Sequence, residues 1–165
     1  MSRIRVAIVG IGNCASSLVQ GGVFYQKNPT VEGLIFPLIG PFAVNDVDFV
    51  LGIDVDDRKV GKTIAEAIFA KPNNAVVFQS DIARSSAEVI MGRMLDGMAP
   101  HMLAAGERGF QPASTPEATQ HDIVNALRRE RVDVLVNFLP VGSQEASAFY
   151  MECALEAGVG VVNAI

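Results

Sequence analysis

A glycine-rich stretch near the start of the chain has the residue types and the spacing that bind phosphate groups. Residues 6–15 place Gly10, Gly12 and Ala15 in the pattern G-x-G-x-x-A, directly after an apolar run. The first glycine permits a tight turn, the second lets the backbone approach a pyrophosphate closely, and the third small residue lets a helix pack on the preceding strand. The pattern predicts a dinucleotide site, and the competing interpretation is a packing turn that holds no ligand.

The segments on either side of this turn are the ones that such a site needs. Residues 3–9 are rich in Val and Ile, as is typical of a strand buried on both faces, and residues 13–25 can form the helix that follows. That helix would present free backbone N–H groups and the positive end of its dipole to the phosphates. Since the turn contains no Lys or Arg, the backbone would have to bind the anion by itself.

A second group with binding chemistry is the carboxylate of Asp54, which ends the next predicted strand. Dinucleotide-binding folds use an acidic residue at this place to bind the adenosine ribose hydroxyls. Asp54 comes 44 residues after Gly10 (54 minus 10), where about 20 is usual, because residues 28–45 form an insertion. Asp56 and Asp57 follow, and Asp57 is predicted to cap the next helix. This acidic cluster would repel a 2′-phosphate, which favours NAD over NADP.

The insertion at residues 28–45 is long for a connection and is unusually apolar. It contains three prolines and also Leu34, Ile35, Phe36, Leu38, Ile39 and Phe42. Two interpretations stay open: the segment folds onto its own domain, or its hydrophobic residues meet another subunit or another domain.

The rest of the chain reads as alternating strands and helices. Strands are predicted at residues 47–53, 75–79, 132–139 and 159–163, and helices at residues 58–70, 116–130 and 144–157. Thr115 and Pro116 give a strong helix start, while Ser143 is predicted to cap the last helix and Gly158 to end it. Apolar residues between positions 90 and 102 recur at helical spacing, although two glycines and a proline argue against a long regular helix there.

Five strands that alternate with helices predict an α/β fold with a doubly wound parallel sheet, in the strand order 3-2-1-4-5. A ligand should cross the sheet at the switch point between strands one and four, where residues 10–17 and 139–143 come together. His101 and His121 are expected outside this crevice. The lysines at positions 59, 62 and 71 are expected on the adenosine side, so that the crevice offers Asn13, Ser16, Ser143 and Asn163 but no lysine.

Composition restricts the class of protein further. The 165 residues make one domain, and the net charge of −5 gives no basic surface for nucleic acid. The chain has two cysteines, Cys14 and Cys153, which form no disulfide framework or metal cluster and are expected to be packing residues. No signal peptide and no apolar run of about 20 residues is present, so neither a membrane nor an export route is expected and the cytoplasm is the default.

Motifs along nearly the whole chain resemble inositol-3-phosphate synthase of the bacterial and archaeal type. They lie at residues 6–21, 40–42, 54–56, 59–61, 67–70, 73–74, 95–97, 139–143, 149–150, 153–154, 157–159 and 162–164. This resemblance is far more specific than the glycine pattern. It identifies the chain with the NAD-binding Rossmann domain of that family, over residues 1–165.

The resemblance implies a function in inositol biosynthesis, and hence in phospholipid biosynthesis. The family carries NAD and converts D-glucose 6-phosphate to 1D-myo-inositol 3-phosphate. NAD oxidises the sugar at carbon 5, the adjacent carbon enolises, an intramolecular aldol step closes the ring, and NADH reduces the ketone. The resemblance implies that the pyrophosphate is wrapped by Gly10, Gly12, Asn13, Cys14, Ala15 and Ser16. It implies that Asp54 binds a ribose and that the nicotinamide half lies along Leu139, Pro140, Val141, Gly142, Ser143 and Tyr150.

Two departures from the family pattern matter. Residues 91–94 read Met-Gly-Arg-Met where the family typically has Arg-Gly-Pro-Thr. Family members are also longer, with their lysines and phosphate-binding residues in a second domain that this chain lacks. We therefore assign no catalytic residue and no metal ligand to the chain, and we expect a homotetramer as in the family. The alternative is a non-catalytic NAD-binding or assembly module, that is, a truncated paralogue.

Overall fold

A five-stranded parallel sheet forms the centre of the computed structural model, which describes residues 3–28, 30–82 and 87–165. The strands are β1 (Ile4–Val9), β2 (Leu38–Ile39), β3 (Phe42–Ala43), β4 (Val47–Asp54), β5 (Val89–Met91), β6 (Val134–Asn137) and β7 (Gly160–Asn163). The helices are α1 (Asn13–Lys27), α2 (Ile64–Ala67), α3 (Pro100–Ala104), α4 (Gln120–Arg129) and α5 (Gln144–Ala157). The main sheet has the order β5-β4-β1-β6-β7, while β2 and β3 form a separate hairpin. Counted within the main sheet, this is the predicted order 3-2-1-4-5, so the doubly wound, Rossmann-like fold is confirmed.

The central strand is covered on both of its faces, as the sequence predicts. Ala7 and Val9 pack in the hydrophobic cluster formed with α4 and α5, whereas Val6 and Ile8 pack in the cluster formed with α1 and α2. Successive side chains of a strand point to opposite faces, so one short apolar run supplies both layers of the core. The C-terminal pair of elements also agrees with the sequence, because α5 ends at Ala157 and the next residue, Gly158, has the left-handed conformation that favours glycine.

The prediction of a strand at residues 75–79 is wrong. The apolar run there lies along α1, and side chains of that helix accept hydrogen bonds from the backbone N–H groups of the run and of Asn74 before it. Asn13 Oδ1 accepts the N–H groups of Asn74 and Ala75, and Gln20 Oε1 accepts those of Phe78 and Gln79. The third strand of the sheet is instead β5, which pairs with the end of β4 and falls where a helical spacing was predicted.

The predicted helix at residues 58–70 is wrong over most of its length. Only Ile64–Ala67 is helical, because the backbone before it is hydrogen-bonded to the start of β5. Gly61 N–H bonds to Val89 O, and Ile64 N–H bonds to Ala87 O. Thr63, not Asp57, is the N-cap residue of α2. Asp57 is exposed, while Asp56 Oδ1 accepts the N–H of Arg58.

The next helix starts later than predicted. Thr119 caps α4 together with Asp122, rather than Thr115 with its following proline. The segment before Thr119 is held elsewhere, since Glu117 accepts the N–H of Met94 and Ala118 N–H bonds to Gly92 O.

The insertion forms the β2–β3 hairpin and leaves large apolar side chains in solvent. Ile35 is 87% exposed, Phe36 68% and Ile39 71%. The interpretation that the insertion folds onto its own domain does not hold for these side chains. Their contact with another subunit or domain stays a prediction.

Candidate functional site

A cavity of about 460 Å³ lies at the carboxyl ends of β1, β4 and β6. This is the switch point of the sheet, where ligands of open α/β sheets bind, and the volume is in the range of cofactor sites. Its walls come from the glycine turn after β1, the segment after β4, the segment between β5 and α4, and the start of α5. The predicted crevice therefore exists as a cavity in the described structure.

The two glycines of the motif have different reasons to be glycine. Gly10 has φ +86°, and a Cβ built on it would lie 2.7 Å from Phe138 O, so both backbone conformation and packing require it. Gly12 caps α1 with φ −91°, which any residue adopts, and a Cβ there would meet no protein atom within 4 Å. Gly12 lines the cavity, and neither its backbone conformation nor a neighbouring atom requires a glycine there.

Two asparagines hold the glycine turn in place. Asn73 Nδ2 donates to Ile11 O at 3.0 Å, and Asn13 Nδ2 donates to Asn74 Oδ1 at 2.8 Å. With the backbone bonds of Asn13 described above, these contacts fix the loop at residues 73–75 beside the start of α1. Asn73 was not assigned to the site from the sequence, although the Asn73-Asn74 pair is among the motifs of the family resemblance.

Asp54 connects the end of β4 to the same turn. Its Oδ2 accepts the N–H of Ile11 at 2.7 Å, and its Oδ1 accepts the N–H groups of Val55 and Asp56 at 2.7 and 2.9 Å. Lys59 Nζ lies 3.7 Å from Oδ2. The expectation that the crevice holds no lysine is wrong, because Lys59 lines the cavity and is 4% exposed. Lys59 follows Asp56 by three residues, in the turn that replaces the predicted helix, and this turn places its side chain in the cavity wall.

Asp56 is used for structure. It is 1% exposed, and its two oxygens bind Arg58 Nε and Nη2 at 2.8 and 2.6 Å. Burial raises the pKa of this carboxyl, but the hydrogen bonds from Arg58 and the N–H of Gln111 outweigh burial and hold the pKa below its usual value. Arg58 also donates to Glu107 O and Gly109 O, so the pair fixes the segment that covers the cavity.

Ser143 supplies a polar atom with no partner. It precedes α5, is 1% exposed and lines the cavity, and its Oγ has no hydrogen-bond partner in the described structure. Asp96 does the capping at this helix, since its carboxylate accepts the N–H groups of Glu145 and Ala146 at 2.7 and 2.9 Å. The hydroxyl of Ser143 therefore has no partner among the described residues, and the predicted capping by that hydroxyl is wrong.

Tyr150 joins α5 to the segment after β5. Its hydroxyl accepts the N–H of Arg93 at 2.8 Å, and burial raises the pKa of the phenol to about 12. A Cβ on Gly92 would lie 2.3 Å from that hydroxyl, which explains why residue 92 is a glycine. Gly92 is the one residue of positions 91–94 that matches the family pattern. Arg93 also lies over the ring of Phe149, 5.2 Å from its centre.

The cavity brings together part of the predicted site. It is lined by Gly10, Gly12, Asn13, Asp54, Leu139, Pro140, Ser143 and Tyr150. The residues that do not line it are Cys14, Ala15, Ser16, Val141 and Gly142. Cys14 is exposed rather than packed, Val141 is 93% exposed, and Ala15 and Ser16 are buried under the turn. Cys153 is buried in the core as predicted.

Several lining residues were missed from the sequence. His101 lines the cavity, against expectation, together with Met102, Arg108 and Phe110. The sequence between β5 and α4 carries no motif that assigns these residues. Contacts of Arg58 with Glu107 O and Gly109 O, and backbone bonds of Val55 and Asp57 with Ala113 and Gln111, hold the segment over the site. His121 lies exposed on α4, as expected.

Comparisons with known proteins agree with the motifs. The inositol-3-phosphate synthase of Mycolicibacterium smegmatis is 46% identical over 165 residues, which cover 98% of this chain and 43% of that protein. The synthases of Mycobacterium tuberculosis and Corynebacterium glutamicum are 45% and 41% identical over 167 residues, each covering 99% of this chain and 43% or 44% of those proteins. No family model matches the chain.

Solved structures give the same result for the fold. The crystal structure of Ari2 superposes with a TM-score of 0.80 at 31% identity, over 98% of this chain and 45% of that one. A myo-inositol-1-phosphate synthase-related protein from Thermotoga maritima superposes with a TM-score of 0.69 at 19% identity, over 99% of this chain and 48% of that one, which shows the shared fold.

No helix among the described residues is long and apolar enough to cross a membrane. The chain spans less than half the length of the curated relatives that it matches. Over nearly all of its own length, and with the glycine motif and the Rossmann-like sheet in place, the chain is similar to the corresponding part of the inositol-3-phosphate synthases.

Proposed function

We propose that this chain is the NAD-binding part of an inositol-3-phosphate synthase, which converts D-glucose 6-phosphate to 1D-myo-inositol 3-phosphate. The observation that carries the proposal is Gly12. Neither its backbone conformation nor its packing requires glycine, and it lines the cavity at the start of α1. A pyrophosphate that lies against the backbone needs this position free of a side chain.

The other residues present fit the same cofactor. The N-cap Gly12 gives α1 no side-chain hydrogen bond, so the first-turn amides are available to phosphate oxygens. Asp54 Oδ2 has one hydrogen bond within the protein and can accept one from a ribose hydroxyl. At the opposite end of the cavity, the unpartnered Ser143 Oγ can bond the carboxamide of a nicotinamide.

When NAD is bound, it supplies reversible hydride transfer to and from the sugar. The residues of this chain bind and orient the cofactor. The backbone N–H groups of the glycine turn donate to the pyrophosphate, Asp54 binds the adenosine ribose, and Ser143 orients the nicotinamide. The segment held by Arg58 excludes water from the adenosine half. Glucose 6-phosphate, the acid–base groups for enolisation and the assembly into a homotetramer belong, in this proposal, to the complete enzyme.

The alternative is a non-catalytic NAD-binding or assembly module. One observation favours this alternative. Among the described residues, the cavity wall after β6 contains Ser143 but no lysine, and the buried lysine that lines the cavity, Lys59, lies beside the end of β4. The sequence of the gene downstream of codon 165 separates the two, because an open frame into a lysine-containing catalytic domain supports the enzyme and a stop codon supports the module.

Binding of cofactor fragments to the purified chain tests the proposal. We expect NAD and ADP-ribose to bind with similar affinity in isothermal titration, and nicotinamide mononucleotide to bind much more weakly, because the glycine turn and Asp54 contact the ADP-ribose part. Equal binding of all three, or of none, would remove the dinucleotide assignment.

A further inference from the structure

Lys59 is a buried cation that the proposed mechanism does not use. Its Nζ donates to Asn73 Oδ1 at 3.2 Å and lies 3.7 Å from Asp54 Oδ2, which is beyond hydrogen-bond distance. An ammonium group has three N–H donors, so it retains donors for a ligand. The side chain lines the cavity beside the carboxylate that ends β4.

Asp54 has little capacity left for a ligand. A carboxylate has about four acceptor positions, and three of them accept the N–H groups of Ile11, Val55 and Asp56. The remaining position is on Oδ2, the oxygen that faces Lys59. A ribose hydroxyl at this point can donate to Oδ2 and accept from Nζ, since a hydroxyl does both.

The charges around this position are balanced. Asp56 is paired with Arg58, and Asp57 is exposed outside the cavity wall. Asp54 faces Lys59, and Arg108 and His101 line the same cavity. The acidic cluster seen in the sequence is therefore not a negative surface towards the ligand, and the expected repulsion of a 2′-phosphate loses its basis.

We propose that Lys59 is the residue that determines how the site treats the 2′ position of the adenosine ribose. This proposal rests on the proposed dinucleotide function. Lys59 donates to the 2′-hydroxyl of NAD, and it also compensates the charge of Asp54, so that a 2′-phosphorylated dinucleotide binds with measurable affinity. Without the ammonium, the unpaired carboxylate repels a 2′-phosphate and affects NAD much less.

The test compares the affinities of NAD and NADP in isothermal titration of the whole chain. Lys59→Met should raise the ratio of the NADP dissociation constant to the NAD dissociation constant by about tenfold or more, because one unit charge near a second charge has been removed. Lys59→Gln removes the same charge but keeps an amide donor for Asn73, and serves if Lys59→Met does not fold. Lys59→Arg should keep the wild-type ratio.

Lys62→Met is the matched control, because Lys62 is exposed and does not line the cavity. It should leave the ratio unchanged. If Lys59→Met and Lys59→Gln weaken NAD and NADP equally, Lys59 only supports the loop and the proposal is wrong. A wild-type chain that binds NAD but shows no NADP binding at millimolar concentration also overturns it. A wild-type chain that binds neither contradicts the proposed function itself.

Discussion

Asp54 Oδ2 accepts the backbone N–H of Ile11 at 2.7 Å, which ties the end of β4 to the middle of the glycine turn. Asp54, which is expected to bind the ribose, therefore also holds the turn that is expected to bind the pyrophosphate. A change at Asp54 should affect both parts of the site.

Asp54→Asn is expected to weaken NAD binding by about tenfold or more, since hydrogen bonds to a charged group are worth about 1.5–3 kcal/mol. An amide has one acceptor oxygen, so it cannot accept from Ile11 on one side and from Val55 and Asp56 on the other. The preference for NAD over NADP should also narrow. Isothermal titration measures both, with the exposed Asp57→Asn as control, and unchanged affinities would take Asp54 out of the site.

Arg58→Ala is expected to lower the free energy of unfolding by about 3 kcal/mol, as is usual when a buried carboxylate loses its ion partner. Asp56 is 1% exposed and would keep only backbone donors, while Glu107 O and Gly109 O would lose theirs. Urea denaturation gives the value. Arg129→Ala removes an exposed pair with Glu130 and should change stability little, so equal effects of the two variants would contradict the role of Arg58.

Asp96→Asn is expected to destabilise the chain at neutral pH and not in acid. Partial desolvation raises the pKa of Asp96, but the N–H groups of Ala146 and Glu145 outweigh it, and the pKa lies below its usual value. A lowered pKa means that the stabilisation is present above the unfolded pKa and is lost as the pH falls through the folded pKa. Thermal melts of both proteins should therefore differ at pH 7 and converge only when the pH falls below the folded pKa, which itself lies below the usual value of 3.8. A difference that persists in acid would argue against capping of α5 by the Asp96 carboxylate.

The local sequence pattern predicts those parts of the fold whose backbone hydrogen bonds are made within the sheet or within a helix. The run of Val and Ile in β1, the helix after Gly12 and the left-handed Gly158 all carry local signals. The third strand was missed because the apolar run at residues 75–79 looks like a strand. Side chains of Asn13 and Gln20 hold that run along α1, and no local pattern carries this long-range effect.

The candidate site divides in the same way. Gly10, Gly12 and Asp54 lie in a motif or at a strand end and were found from the sequence. Lys59 was expected outside the crevice, because a regular helix was predicted where the backbone instead turns to bond with residues 87–89. His101 lines the cavity in a segment that long-range contacts hold in place, such as that of Arg58 with Gly109 O, 51 residues further on, and no local pattern carries that information.

The chain alone is expected to make no inositol phosphate from glucose 6-phosphate. Enolisation and ring closure need an acid–base group beside the sugar and cations on its phosphate, and a lysine suits both tasks. Lys59 does not fill this role, because it is engaged with Asp54 and Asn73 on the adenosine side. Phosphate release after periodate oxidation of the product measures turnover, with a full-length relative as the positive control, and clear turnover by the 165-residue chain would contradict the assignment.

Titration of NAD into the wild-type chain and into Gly12→Val tests the central claim most directly. The variant should keep the fold, because the φ of Gly12 is −91° and a Cβ meets no protein atom within 4 Å. It should bind no NAD, because the new side chain fills the space that a pyrophosphate needs. Gly21→Val, on α1 and away from the cavity, is the matched control and should bind like the wild type. Circular dichroism near that of the wild type with no heat of NAD binding is the predicted result, and tight NAD binding by Gly12→Val would contradict the account.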